Sequence, residues 1–321
     1  MDEKKLLSLI KKLHGTVVRE TEDSRSAIVE VDLIWSQTTD NDLEQICRLD
    51  GLQKLGLAGK KLTDKGARHL AKLTKLRRLD LTGTAVTDRS SSIIGNLAEL
   101  EELYLSNTAV SDSALEHISH LARLKSLSIG NTKINGFGFS HLTKLKELRF
   151  MYLEGPEISD ETIEKLATLA QLRSVRIWQS KISSASLKHL AKLKQLEKVD
   201  IAYAQIADGE YDQLFGLLNL TSLSLMDIGL TDKSIANIAK ADKLRSLVLV
   251  SNRVTDKGLK SICKLRDLNE LYLSYTEVTD DGLAMLPRLK NLKHLTLFGT
   301  KASGAGSRQL QEMMPDCKIE W

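Results

Sequence analysis

Apolar residues recur in pairs split by one polar position: Val31/Leu33, Leu55/Leu57, Leu79/Leu81 and onward through Leu295/Leu297 to Ile319, each pair 24 residues after the last. Around a pair the alternation, as in Arg78, Leu79, Asp80, Leu81 and Thr82, has the period of two that gives a strand one buried face. Beyond each strand, apolar residues fall three apart, as in Ile163, Leu166, Leu169 and Leu172, or Leu259, Ile262, Leu265 and Leu268. That spacing fits a short helix, partly 3₁₀, laying one stripe against the strand layer. One strand and one return segment at a fixed period predict a solenoid of α/β class. Parallel strands should line the concave face and short helices the convex face, the difference in width bending the stack into a horseshoe.

The frame must be defended at one place. Leu145, Leu148 and Phe150 have the spacing of a repeat start but would require a deletion followed by a compensating insertion. Counting from Leu127 selects Leu148, Met151 and Leu153 instead, with Ile158 falling where Val86 and Val110 fall in their own repeats. The period then runs without a break, Phe150 points outward and Met151 inward.

Two polar phases recur with it. Thr84, Thr108, Thr132, Thr276 and Thr300 share one, held by Asn252 in its repeat and by Pro156, Ala204 and Ile228 in theirs; side chains here are expected to bond to backbone groups of adjoining coils. The other carries Asp40, Asp64, Asp88, Asp112, Asp160, Asp208, Asp232, Asp256 and Asp280, usually after Thr or Ser. One carboxylate per coil at a helix start reads as an N-cap accepting from free N–H groups, in preference to a catalytic cluster. The chain is expected to divide into an N-terminal cap over residues 1–30, repeats over 31–314 and a closing strand over 315–321. In the cap, Leu6, Leu7, Ile10 and Leu13 make an amphipathic helix, and Val17/Val18 and Ala27 to Val31 a hairpin around Thr21 to Ser26. In the closing strand, Ile319 points inward and Trp321 serves as a lid.

Composition narrows the function. Lys and Arg number 46 against 42 Asp and Glu, a near balance unlike the concentrated basic surface of a nucleic-acid binder. The N-terminus has no apolar h-region or small-residue cleavage site, and no apolar run is long enough to span a membrane. Cys47, Cys263 and Cys317 lie far apart with no C-x-x-C pair, which suits reduced, semi-buried thiols in a cytoplasmic protein and neither zinc nor a disulfide framework. His69, His117, His141 and His189 share a helix phase and read as repeat drift rather than metal ligands. No nucleophile elbow, Walker loop or H-E-x-x-H motif is present, and Gly304-Ala305-Gly306 lacks a dinucleotide-binding context and reads as a helix start. No catalytic residue, metal or cofactor is expected.

The repeat, written L-x-x-L-x-L-x-x-T-x-V-T-D-x-x-L-x-x-L-x-x-L, resembles that of bacterial leucine-rich-repeat proteins of the planctomycete type. Thr84-Ala85-Val86-Thr87-Asp88 and Thr276-Glu277-Val278-Thr279-Asp280 carry the resemblance most strongly. Leu13-His14-Gly15-Thr16-Val17-Val18-Arg19-Glu20 followed by Ile28 to Leu33 is similar to the leader preceding such repeats. The resemblance covers essentially the whole chain, and it implies an interaction protein without naming a partner.

On the outward strand positions the N-terminal third is acidic, with Glu30, Asp32, Asp80 and Glu102. Tyr104, Phe150, Tyr152, Arg176, Trp178, Tyr203 and Met226 gather farther along, followed by Val248 and Tyr272, where Ser or Thr would have satisfied the fold. Exposed aromatics beside an Arg are the residue types that dominate protein interface hot spots. The expected function is a non-enzymatic module recognising a protein through its concave face. An adaptor scaffold docking an enzyme and a carbohydrate-binding module are the alternatives.

Overall fold

Strands form wherever the alternating pairs stand, because burying each pair on one face leaves the backbone free to bond to the next coil. The computed structural model describes residues 3–23, 26–206 and 211–321, which fall into two compact units, Met1–Glu157 and Ile158–Trp321. Asp208 and the hairpin residues Ser24 and Arg25 lie outside the described residues.

The first unit begins with a helix at Glu3–Lys12 that buries Leu6 and Ile10, then β1 (Thr16–Arg19) and β2 (Ile28–Leu33), paired antiparallel with Val17 opposite Val31. Parallel strands follow: β3 (Lys54–Leu57), β4 (Arg78–Asp80), β5 (Glu102–Tyr104), β6 (Ser126–Ser128) and β7 (Phe150–Glu154). Val31 pairs with Leu55, Leu55 with Leu79, Leu79 with Leu103, Leu103 with Leu127 and Leu127 with Met151. The register steps by 24 each time, Met151 is buried, and Phe150 is not. The unbroken frame is therefore the one the chain uses.

The second unit repeats the design with β8 (Ser174–Trp178), β9 (Lys198–Ala202), β10 (Ser222–Met226), β11 (Ser246–Val248), β12 (Glu270–Tyr272), β13 (His294–Thr296) and β14 (Lys318–Glu320). Its ladder of buried residues runs Val175, Val199, Leu223, Leu247, Leu271, Leu295 and Ile319. Trp321 stays half exposed rather than sealing the core as a lid. Return segments are short helices such as Asp160–Leu166 and Asp256–Ile262, or 3₁₀ turns such as Ile238–Lys240 and Leu286–Arg288. Their inward residues, Ile163, Leu166, Leu259 and Ile262 among them, are fully buried. Burial also pushes the Cys47 thiol up to about 12 against a small opposing effect of Lys72, and raises Cys263 and Cys317. These thiols are free and protonated at neutral pH.

The aligned carboxylates are not the N-caps expected of them. The cap is the preceding Thr or Ser: Thr63 accepts from Lys65 N, Ser183 from Ala185 N and Thr255 from Lys257 N. The Asp that follows reaches into the next coil. Asp40 accepts from Thr63 N at 2.7 Å and Thr63 Oγ1 at 2.8 Å, and the same pair of bonds joins Asp64 to Thr87, Asp88 to Ser111, Asp160 to Ser183, Asp232 to Thr255, Asp256 to Thr279 and Asp280 to Ser303. An Asp at the first helical residue still favours the helix dipole. Its side chain, however, serves the cap residue of the neighbouring coil, whose N–H belongs to neither helix nor strand ladder.

This rung restricts the residue two places past each Asp. A Cβ on Gly66 would sit 2.5 Å from Asp40 Oδ1, and one on Gly258, Gly282 or Gly306 would likewise overlap the carboxylate of the preceding coil. Where that position is Ser, the hydroxyl joins the rung instead: Ser90 Oγ donates to Asp64 Oδ1 and Ser186 Oγ to Asp160 Oδ1, each at 2.5 Å. Gly306 thus opens the Gly304–Met313 helix under Asp280, with Ser303 accepting from Gly306 N.

The Thr phase also differs from expectation. Thr84 Oγ1 donates to Leu81 O, Thr108 Oγ1 to Leu105 O and Thr276 Oγ1 to Leu273 O, three residues back in the same coil. Asn252 alone among these spans two coils, accepting from Leu230 N at 3.0 Å and donating to Leu225 O at 2.6 Å and Leu249 O at 3.0 Å. A hydroxyl is too short and has too few donors to copy the amide.

Two outcomes test the rung. Gly282→Ala should destabilise the protein although Ala ordinarily favours a helix by about 1 kcal/mol. Asp256→Ala should cost about 1–2 kcal/mol, and the double variant less than the sum of the two; additive costs in urea melts would refute the shared contact. The second outcome concerns pH. Burial raises the Asp64 and Asp160 carboxyls, but bonds from Ser90 and Thr87, and from Ser183 and Ser186, outweigh it and hold both below the usual carboxylate range. A lowered folded-state pKa stabilises above the unfolded value and is lost as pH falls. Unfolding midpoints should therefore drop below about pH 4, and less steeply in the Asp64→Asn/Asp160→Asn variant; equal slopes would contradict the assignment.

Candidate functional site

In the second unit, β8 and β9 bring Arg176 opposite Asp200 and Trp178 opposite Ala202. Arg176 Nε donates to Asp200 Oδ2 at 2.8 Å, and the guanidinium lies 5.0 Å from the centroid of the Trp178 ring. Trp178 in turn meets Tyr203 edge to face, centroids 6.4 Å apart. Such contacts contribute roughly 0.5–1.5 kcal/mol beyond area burial and hold the rings in one arrangement. Ala202, buried and small, leaves space beside it for the indole. Met226 lies opposite Ala202 on β10 and its carbonyl accepts from Tyr203 N at 3.1 Å. Farther along, Val248 and Tyr272 are register neighbours on β11 and β12, both half-buried. Burial, then the Glu270 carboxylate, raises the Tyr272 phenol.

Tyr104, Phe150 and Tyr152 belong to the first unit. Tyr104 and Tyr152 flank Ser128 in the register, and their hydroxyls are engaged: Tyr104 donates to Glu102 Oε2 at 2.8 Å, Tyr152 to Glu154. Arg78 covers the Tyr104 ring at 4.8 Å and pairs with Glu102. Ser128, placed outward, is buried, its hydroxyl bonded to Ser106 Oγ at 2.7 Å. Of the residues singled out by type, Arg176 and Tyr203 both contact the Trp178 ring.

One phase carries a feature the hydrophobic pattern does not announce. Residues 59, 83, 107, 131 and 155 in the first unit, and 179, 203, 227, 251, 275 and 299 in the second, all have positive φ. Gly59, Gly83, Gly155 and Gly299 suit this left-handed turn, and Asn107 and Asn131 tolerate it. The recurrence of Gly and Asn at one phase was the available signal. Tyr203, at φ 56°, and Tyr275, at φ 59°, are costly there, by about 1–2 kcal/mol each. Both residues are exposed, 46% and 64%, so burial in the core does not offset the strain.

Tyr203 also separates two hollows. One, of about 710 Å³, is lined among the described residues by Tyr203, Ala204, Gln205, Ile206, Asp227, Ile228, Gly229 and Arg253. The other, about 580 Å³, is lined by Gln179 to Ser183, Tyr203 and Gln205. Among the described residues no group of three or more His, Cys, Asp or Glu could hold a metal, and no helix is long and apolar enough to cross a membrane.

Residues 32–315 match the model of the leucine-rich repeat region. The chain belongs to the leucine-rich-repeat family. No curated protein matches it. Among solved structures, an internalin from Listeria monocytogenes is similar at 20% identity and a TM-score of 0.64, covering 99% of this chain and 94% of that one. A leucine-rich-repeat protein of Leptospira interrogans has 17% identity and a TM-score of 0.47 over 100% and 98% of the two chains. These likenesses concern the fold. The leucine-rich repeat is typically used for protein binding, and its members are generally non-enzymatic scaffolds.

The strain at position 203 yields a test. Tyr203→Asn should hold or raise the thermal midpoint, since Asn tolerates the left-handed turn, whereas Tyr203→Val should cost about 1–2 kcal/mol. Equal midpoints for the two variants would show that the turn does not constrain this residue.

Proposed function

We propose that the protein is a non-enzymatic binding module that recognises a protein partner through its strand-lined face, with Arg176, Trp178 and Tyr203 at the centre of the recognition surface. The observation that carries this reading is Tyr203. Its ring stands in solvent on a backbone conformation that Gly or Asn would adopt more cheaply, locked against Trp178. Residues kept under backbone strain without burial in the core are found at ligand clamps and active sites, and among the described residues here no acid, base and nucleophile stand together to suggest catalysis. Met226, Val248 and Tyr272 extend the surface along the second unit; Tyr104, Phe150 and Tyr152 are its counterparts in the first.

Near-balanced charge supports a protein rather than a nucleic acid as partner. Free thiols support a reducing, cytoplasmic setting. Within the family, the T-x-V-T-D run supports a likeness to the planctomycete-type bacterial proteins.

Affinity capture from source-cell lysate, with mass spectrometry of the retained proteins, tests the surface. A partner held by the wild type should be lost from Arg176→Ser/Trp178→Ser/Tyr203→Ser, whose circular dichroism spectrum should remain that of the folded chain. Retention of the same partner by the folded triple variant would defeat the reading.

A further inference from the structure

The two hollows beside Tyr203 share a row that the aromatic cluster does not use. Lys181, Gln205, Gly229 and Arg253 occupy one repeat phase in successive coils, just past the left-handed turn, and all four are exposed. Lys181 lines one hollow and Arg253 the other. Neither cation makes an ion pair with a described carboxylate, whereas neighbouring cations do: Arg176 pairs with Asp200, and Lys301, also at this phase, pairs with Glu277. Between the two cations stand the exposed Tyr203 and Gln205, and the buried positions beside them are apolar where the repeat elsewhere supplies a hydroxyl or an amide. Ala204 and Ile228 stand at the Thr/Asn phase, and Gly229 has open space above it, with no atom within 4 Å of where a Cβ would be. Asp227, which lines the hollow with Arg253, is the carboxylate that faces it.

We infer that this row takes an acidic, extended peptide segment of the partner, deepening the binding role proposed above and resting on it. Cations with no carboxylate partner among the described residues at both ends, and the exposed Tyr203 ring between them, complement a segment with carboxylates at its ends and an aromatic or aliphatic residue between. Lys181 and Arg253 are three coils apart, roughly 15 Å at the strand spacing. An extended chain advances about 3.3 Å per residue, so the two acidic side chains fall four or five residues apart. The middle residue packs on the exposed Tyr203. Asp227 sets a limit on the same segment: a basic residue or a backbone N–H, not a further carboxylate, fits beside it.

The test is selection of phage-displayed random dodecapeptides on the purified full chain, followed by affinity measurement with the enriched peptides in synthetic, labelled form. Enriched peptides should carry Asp or Glu at that spacing around an apolar residue. They should bind Lys181→Glu/Arg253→Glu at least about tenfold more weakly, and weaken as salt is raised. Enriched peptides without acidic residues, or with affinity unchanged by the charge reversal, overturn the inference; if their binding is still lost in Trp178→Ser/Tyr203→Ser, the general binding role stands. No enrichment over an uncoated support overturns both. The charge-reversed variant alters two exposed side chains outside the core, and its unchanged thermal midpoint confirms that any loss is one of recognition.

Discussion

Equal coil length is the constraint from which the rest of the architecture follows. Each strand's N–H and C=O groups find partners only in the adjacent coil, so every coil must return the chain to the same phase, and Leu55, Leu79, Leu103 and Leu127 stack because each is 24 residues from the next. A slip of one residue would turn a whole apolar set to solvent. Buried Leu residues contribute about 1.5–3 kcal/mol each, so the register is strongly held.

The same periodicity creates polar demands that no single coil meets. The amide of a helix cap such as Thr63 faces the preceding coil, and Asp40 of that coil satisfies it. The restriction falls two residues later, where a small residue stands beside the carboxylate, as at Gly282, Ser186 and Ala114. At the strand's far end the chain turns through a left-handed residue in each coil from Gly59 to Gly299. Side chains at these phases answer to a neighbour in space, not in sequence, which is why deleting one is felt in another coil.

Where those rules lapse, the fold tolerates the lapse and the surface acquires character. Tyr203 takes a Gly or Asn place, Ala204 and Ile228 take Thr places, and Ser184 stands where an Asp rung would begin. These departures lie close together in the second unit, around the hollows and the Trp178 contact. Local rules broken together in one place are the mark of a site selected for something other than stability.

Much of this was legible in the chain itself. The inward ladder, the short return helices and the choice of Met151 over Phe150 follow from periodicity, because a period of two or three translates directly into which way a side chain projects. The aromatic residues could be picked out by type at outward positions. Their pairing could not: that Arg176 is spent on Asp200 and Trp178, and that Tyr104 and Tyr152 are tied to Glu102 and Glu154, depends on rotamers and cross-strand neighbours. Nor could the sequence reveal whom the Asp serves, since one phase satisfies a cap in its own coil and a rung to the next equally well. Sequence by itself determined the coil and its buried face, which are properties of spacing along one strand of chain. Tertiary structure alone decided which polar groups meet between coils and which cations stand without a carboxylate partner among the described residues, because those depend on distances across the stack.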